Sequence, residues 1–172
     1  MLSLLALGIF LTALVVAAAT DMTRYEIPNG ASIALVAGFA LAAPALSFGD
    51  IAWHVAAGGI MFVVTAVLFV RGLMGGGDVK AATGLALWYG LAGLPALLLL
   101  ISMLGGGLAI ALLAARRLVP QAADSGSWYA RLLSKKEGVP YGVAISGAGL
   151  VLAPQLFAFA PAQQALLQAF GG

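Results

Sequence analysis

The chain has 172 residues, of which 63% are hydrophobic and 8% are charged, and its net charge is +2. This composition excludes an ordinary soluble globule and predicts an all-α polytopic membrane helix bundle, formed as a single domain over residues 1–172. The few cations form no clustered basic patch, so we expect no nucleic-acid partner. With no cysteine and one histidine, the chain lacks the residues for a thiolate or zinc site, and we expect no metal and no cofactor.

Six apolar segments are separated by glycine, proline or charged residues, and a spanning helix needs about 20 apolar residues. We predict spans over residues 2–20, 29–46, 51–70, 79–90, 94–115 and 141–159. The break between the fourth and fifth spans depends on Gly90, Gly93 and Pro95, which favour a turn. The first segment is interpreted as a retained helix and not a cleaved signal, because no basic side chain precedes it.

The cations predict the orientation of these spans. All eight fall in the first, third and fifth connections: Arg24, Arg71, Lys80, Arg116, Arg117, Arg131, Lys135 and Lys136. Basic loops stay in the cytoplasm, so these connections are expected there and both termini outside. The composition of the fifth connection, from Arg116 to Glu137, fits either a basic anchor that only fixes the topology or a short amphipathic helix on the membrane surface. His54, on the outer side, is not expected to be catalytic.

Two acids fall at span boundaries on the cytoplasmic side of this topology. Asp21 ends the first span, and Asp78 follows the glycine run 75–77 and opens the fourth span. Glycines allow positive φ and close backbone approach, and Asp is a favoured helix cap, so a capped tight turn is the alternative interpretation of Asp78. Pro28 favours the start of the second span and Asn29 can cap it, which would hold Asp21 near the bundle.

A third group, Pro140, Tyr141 and Gly142, lies at the cytoplasmic entrance to the sixth span. Tyr141 is placed either to donate a hydrogen bond near the acids or to serve as an interface aromatic. Small residues recur along this span, at Gly142, Ser146, Gly149 and Ala153, and such a stripe is suited to close helix packing. Pro140 could also simply start the helix.

Three blocks in this order, on six spans, resemble the prepilin peptidase (type IV leader peptidase) family of membrane aspartic proteases. The blocks are Asp21 with Ile27-Pro28-Asn29, Gly75-x-Gly77-Asp78-x-Lys80, and Pro140-Tyr141-Gly142-x-Ala144-Ile145. The resemblance implies that Asp21 and Asp78 are catalytic and that the other motif residues support them. Arg24 and Glu26, in the loop after Asp21, are candidate substrate-binding residues, or are solvated or paired with each other.

The resemblance also implies the partner and the location. The expected partner is a prepilin-like precursor with a basic cytoplasmic leader and an apolar helical stem, in the lipid of a bacterial inner membrane, with the active site facing the cytoplasm. Without the cysteine-bearing region of larger members, the chain resembles the short form of tight-adherence (Flp) pilus systems, and N-methyltransferase activity is not expected. Val143 replaces the usual second proline of the third block, a departure expected to alter packing and not chemistry.

Neighbouring carboxyls that share one proton can activate water for attack on a peptide bond. Considered from the predicted helix ends alone, Asp78 at an N-terminus is favoured as the ionised partner and Asp21 at a C-terminus as the protonated one. The alternative function is a small proton- or ion-coupled membrane transporter that uses the same acids, because intramembrane acids and glycine-broken helices also mark transport sites.

Overall fold

The computed structural model describes residues 2–118, 128–134 and 138–156. All regular structure in these residues is helical, which confirms the all-α prediction. The helices are α1 (Leu2–Arg24), α2 (Asn29–Ala42), α3 (Phe48–Val70), α4 (Gly76–Leu118), α5 (Trp128–Leu133) and α6 (Tyr141–Leu152), with short 3₁₀ turns at Ala43–Ala45 and Ala153–Gln155. Three of the described helices, α1, α3 and α4, are long and apolar enough to cross a membrane.

Helix α4 doubles back on itself at Gly90. A straight helix of its 43 residues would be roughly 65 Å long, about twice the hydrocarbon thickness of a bilayer. Gly90 instead has φ 62° and ψ −175° and interrupts the helix. Ala82 before the break and Ile101 after it line the same cavity, so the two halves run side by side. The predicted break between the fourth and fifth spans is confirmed at Gly90, whereas Gly93 and Pro95 lie within the helical second half.

His54 stabilises this reversal. Its Nδ1–H donates to the carbonyl oxygen of Leu87 at 2.6 Å, and its ring stacks on Phe39 with centroids 5.5 Å apart. A Cβ at position 90 would lie 3.1 Å from His54 Nε2. His54 therefore has a structural role at the turn of α4.

We expect Gly90→Ala to destabilise the fold. Only glycine readily adopts the Gly90 backbone conformation, and strain of this kind costs about 1–3 kcal/mol before the contact with His54 is counted. Gly106→Ala is the matched control, because Gly106 is helical and has nothing within 4 Å of an added Cβ; it should stabilise the protein by about 0.5–1 kcal/mol. Denaturant unfolding in detergent measures both, and equal midpoints for the two variants would contradict this account of Gly90.

Helix α4 is the centre of the bundle, since α2, α3 and α6 all pack along it, while α1 packs on α2 and α6. The largest buried side chains include Phe10, Leu14, Leu35, Leu85 and Trp88. The small-residue stripe of α6 is buried as predicted: a Cβ on Gly149 would lie 2.8 Å from Leu14 and 2.9 Å from Leu85. Close packing of α6 thus brings its N-terminus to α1.

The helix bounds differ from the predicted spans where capping or proline intervenes. Helix α1 continues to Arg24, so Asp21 lies in its last turn and not after it, and α4 begins at Gly76, so Asp78 lies in its first turn. Helices α2 and α6 end earlier than predicted, because prolines in the following 3₁₀ turns remove a backbone donor. The last predicted residues of the sixth span, 157–159, lie outside the described residues.

The described part of the fifth connection contains the predicted short helix, α5, and Arg116 holds it. Arg116 is buried; its Nε donates to the Leu132 carbonyl at 3.0 Å and its Nη2 to the Gly138 carbonyl at 2.8 Å. These bonds tie α5 and the entrance to α6 to the end of α4. They place the approach to α6 at the same end of the bundle as Asp21.

Candidate active site

Asp21 is held by the N-terminus of α6. Its side chain is only 5% exposed, and Oδ2 accepts the Val143 backbone N–H at 3.2 Å, with a further hydrogen-bond contribution from the Gly142 backbone. The first N–H groups of a helix have no partner within the helix and bind anions well. The backbone amides at the start of α6 therefore hold the carboxylate of Asp21, which is a residue of α1, in place.

The replacement of the usual proline by Val143 is expected from the sequence to affect packing alone, and this expectation is wrong. The amide of Val143 contacts Asp21 directly, and a proline at this position would have no N–H to donate. The amides of α6 also favour the ionised form of Asp21, which is opposite to the effect of the C-terminus of α1. The helix ends therefore do not separate the roles of the two acids.

Asp78 is the third residue of α4 and bonds back to the start of its own helix. Its Oδ2 accepts the N–H of Gly75 at 3.1 Å, which satisfies one of the donors at the helix end. Asp78 therefore bonds from within the first turn and is not the N-cap that the sequence suggested. A Cβ on Gly75 would lie 3.1 Å from this same oxygen, so Gly75 provides the close approach of backbone and carboxylate.

The glycine run 75–77 leaves room for neighbouring atoms to approach and does not adopt unusual backbone angles. In the described residues the glycines with positive φ are Gly72 and Gly90, not Gly75–Gly77. The run therefore does not use the positive φ that glycine allows, whereas Gly75 does use the close approach.

Asp21 and Asp78 line one open cavity of about 440 Å³ and interact electrostatically with each other. Its wall is formed by the end of α1, the connection to α2 and the start of α4: Thr20, Asp21, Arg24, Tyr25, Glu26, Ile27, Pro28, Asn29, Gly75, Gly76, Gly77 and Asp78. Two of the three sequence blocks therefore meet around a single open cavity.

Ile27 joins the third block to the other two. Its Cβ lies 3.2 Å from where a Cβ of Gly77 would be, and its Cδ1 lies 2.6 Å from the corresponding position on Gly142. A side chain on either glycine would push against Ile27, and on Gly142 it would also meet Asp21 Oδ2 at 2.8 Å. The two glycines thus allow the starts of α4 and α6 to close on the α1–α2 connection.

Lys80 ties the first and second blocks together. Its Nζ donates to Oδ1 of Asn29 at 2.9 Å, across the rim of the cavity. Asn29 makes no side-chain cap to α2, and Pro28 occupies the N-cap position. The predicted capping role of Asn29 is therefore wrong, because its amide oxygen is taken by Lys80.

We expect the Lys80–Asn29 bond to contribute about 0.5–1.5 kcal/mol, the usual net value of one hydrogen bond. A double-mutant cycle of Lys80→Met and Asn29→Ala, read by unfolding in detergent, should give a coupling energy in this range. Arg71→Met, which removes an exposed cation on the preceding turn, should show no coupling to Asn29→Ala. Additive effects of Lys80→Met and Asn29→Ala would show that the bond does not hold the rim.

Tyr141 and Pro140 have structural positions. The Tyr141 ring packs on Gly105, where an added Cβ would lie 2.9 Å from it, and lines a separate apolar cavity with Met61 and Ile145. Tyr141 is not among the residues that line the aspartate cavity. Pro140 is fully buried at the N-cap of α6, where its ring starts the helix that binds Asp21.

The connection after Asp21 contains a feature that the sequence did not reveal. Tyr25 has φ 57°, a left-handed conformation that is rare outside glycine, and its N–H closes the last turn of α1 on the Asp21 carbonyl. Arg131 of α5 lies over the Tyr25 ring, 5.9 Å from its centroid. Arg24 and Glu26 beside it are exposed on the cavity wall. No glycine marks this turn, so no sequence signal predicted it.

Two neighbouring carboxyls in an open, water-accessible cavity can share one proton and act as an acid and base pair.

Asp50, by contrast, belongs to the cap of α3, where Ser47 donates to its carboxylate at 2.7 Å.

The sequence profile of the type IV leader peptidase family matches residues 8–110, which contain Asp21, Asp78 and the first two blocks. No curated protein and no solved structure matched the chain. The matched region is more than half of the chain and includes most of α1, all of α2 and α3, and most of α4. This helical membrane protein therefore belongs to the type IV leader peptidase family.

Proposed function

We propose that this peptidase is a two-aspartate endopeptidase that removes the cytoplasmic leader from prepilin-like precursors. The observation that carries the proposal is the single cavity lined by Asp21 and Asp78, whose carboxylates come from different helices and interact with each other. Each also accepts backbone N–H groups, from Val143 and Gly75 respectively. Such bonds hold the acids in place before the substrate arrives, which reduces the reorganisation needed during reaction.

The reaction needs only these acids and water. With one proton shared by the pair, the ionised carboxylate removes a proton from water, and the water oxygen attacks the scissile carbonyl carbon. The protonated carboxyl donates its proton to the carbonyl oxygen. Collapse of the tetrahedral intermediate breaks the C–N bond. The departing nitrogen receives a proton from the carboxyl that took one from water, and one hydroxyl of the intermediate gives its proton to the other carboxylate, which restores the pair. The products are a free leader acid and a free amine on the stem.

The position of the cavity supports a cut between a polar leader and an apolar helix. The cavity lies at the ends of α1 and α4, with Arg24 and Lys80 exposed nearby and Arg131 over Tyr25. Cations concentrate on the cytoplasmic side of membrane proteins, so this end is assigned to the cytoplasm of a bacterial inner membrane. Glu26 on the cavity wall offers a carboxylate to a basic leader. We assign no methyl-transfer step to this chain.

Cleavage by the purified protein in liposomes tests this proposal. The substrate is a precursor with a basic leader ahead of an apolar stem, and we expect one cut that leaves a new amino terminus at the stem. A precursor without the leader is the control and should remain intact. If purified protein leaves the full precursor uncut but moves protons across the vesicle membrane, the peptidase proposal fails and the transporter replaces it.

A further inference from the structure

Helices α2 and α3 leave a groove between them beside the aspartate cavity. Both helices pack along α4, but their backbones hardly approach each other, and the stack of His54 on Phe39 joins them at the end away from the aspartates. The space between them, about 650 Å³, is lined by Ile33 and Ala37 of α2, Phe62 of α3 and Thr83 of α4. We call this space the α2–α3 groove; its lining is mostly apolar, and the first half of α4 forms its floor.

The groove opens at the rim of the candidate active site. Asn29 lines both the groove and the aspartate cavity, and Lys80, which bonds Asn29, lines the groove two residues after Asp78. A chain leaving the cavity past Asn29 therefore enters the groove directly. This continuity is absent on the other side of α2, where a depression along Thr12 and Gly30 lies between helices that pack on each other and shares no lining residue with the cavity.

The groove also contains polar groups with no partner in the protein. The hydroxyls of Ser32 and Thr83 are buried without a hydrogen bond, and Ser32 as a whole is 7% exposed. Ser32 lies three residues after Asn29, and Thr83 lies three residues after Lys80, so both are on the inward side of the bonded pair at the rim. An unpaired polar group in a membrane costs free energy. Rotation of the two side chains toward the groove would let these hydroxyl oxygens accept the free N–H groups in the first turn of a bound helix.

We propose that the α2–α3 groove binds the apolar helical stem of the substrate, with the first turn of the stem beside Ser32 and Thr83. The inference rests on the proposed function, because it takes the stem to begin just after the scissile bond. An apolar helix fits the apolar lining, and the start of that helix fits the two hydroxyls at the end of the groove nearest the aspartates. The leader then lies in the open cavity next to Glu26.

Cysteine crosslinking tests this surface cleanly, since the chain contains no cysteine of its own. The enzyme variants are Ala37→Cys in the groove, Thr12→Cys in the depression between α1 and α2, and Ile110→Cys, 71% exposed on the second half of α4. The precursor carries one cysteine about eight residues into its stem, matching the rise along α2 from Asn29 to Ala37. Oxidation is carried out in liposomes, and cleavage by each variant is assayed in parallel.

We expect a disulfide to the precursor from Ala37→Cys and none from the other two variants. A crosslink from Thr12→Cys or Ile110→Cys that equals or exceeds the one from Ala37→Cys overturns the proposal. The proposal is also overturned if Ala37→Cys cuts the precursor yet forms no crosslink, which would leave lipid as the occupant, or if it crosslinks only to a second copy of the enzyme. Loss of cleavage in every variant and in the parent chain would instead overturn the proposed function.

Filling the groove gives a kinetic readout. Ala37→Trp should raise KM for the full precursor about tenfold, a loss comparable with the burial of one apolar side chain. Cleavage of a short peptide that spans the scissile bond but lacks the stem should not change in Ala37→Trp. Thr12→Trp is the control and should change neither substrate. An equal effect of Ala37→Trp on both substrates would show that the groove does not bind the stem.

Discussion

Asp21→Asn and Asp78→Asn should each lower precursor cleavage by about 10²–10⁴-fold, the usual contribution of a positioned acid or base. An amide can neither remove the proton from water nor donate one to the scissile carbonyl. The loss should appear in kcat, because both side chains act on the reacting atoms more than on the leader or stem. A discontinuous assay of leader release in liposomes measures it.

The double variant separates a working pair from two independent groups. Acids that act as one unit give grossly non-additive losses, so Asp21→Asn combined with Asp78→Asn should be little worse than either alone. Asp50→Asn is the control, because Asp50 belongs to the cap of α3 at the opposite end of the bundle. Cleavage within a few fold of the parent chain in either single variant of the pair would rule out a two-aspartate mechanism.

Gly142→Ala should lower cleavage activity nearly as much as the loss of either aspartate, while the fold stays intact. The added Cβ would lie 2.8 Å from Oδ2 and 2.9 Å from Cγ of Asp21, so the carboxylate has to move away from the α6 amides. A displacement of about 1 Å at a catalytic group can lower the rate roughly 10²-fold. Side-chain ends can shift to relieve the contact, so the unfolding midpoint should change much less than the rate.

Two other glycines provide a graded comparison for Gly142. Gly147→Ala lies on the same helix, where the added Cβ meets only the end of Leu104 at 3.3 Å, and should be nearly neutral for cleavage. The three atoms nearest to a Cβ on Gly77 all belong to Ile27, the closest at 3.2 Å, so Gly77→Ala should fall between the two. If Gly142→Ala and Gly147→Ala cleave equally well, contact with the α6 N-terminus does not position Asp21.

Much of the architecture could be predicted because membrane constraints are strong. Apolar length alone identified the helical segments, and Gly90 was correctly identified as a break in a long apolar run. The alternation of connections with and without cations predicted that Asp21 and Asp78 lie at one end, and both line one cavity. The exact helix ends could not be predicted, since they depend on the Gly75–Asp78 bond and on the turn at Tyr25.

The finer construction of the site depends on contacts between distant parts of the chain. Nothing local to Asn29 indicates that Lys80 takes its side chain, and nothing local to Asp21 indicates that Val143 donates to it. The motif glycines suggested close approach, but only the fold shows that Ile27 is the side chain they accommodate. Sequence spacing therefore indicated residues that lie together around the cavity, and tertiary packing determined their partners.

A proximity measurement on the two aspartates tests the central claim most directly. In the cysteine-free chain, Asp21→Cys combined with Asp78→Cys should be joined by a short bifunctional thiol reagent, and proteolysis between the two sites should leave the fragments linked. Asp21→Cys combined with Asp50→Cys, at opposite ends of the bundle, should label at both thiols without joining. Labelling of both thiols in the first pair without a link would place residues 21 and 78 too far apart to act on one water molecule, and would contradict the account.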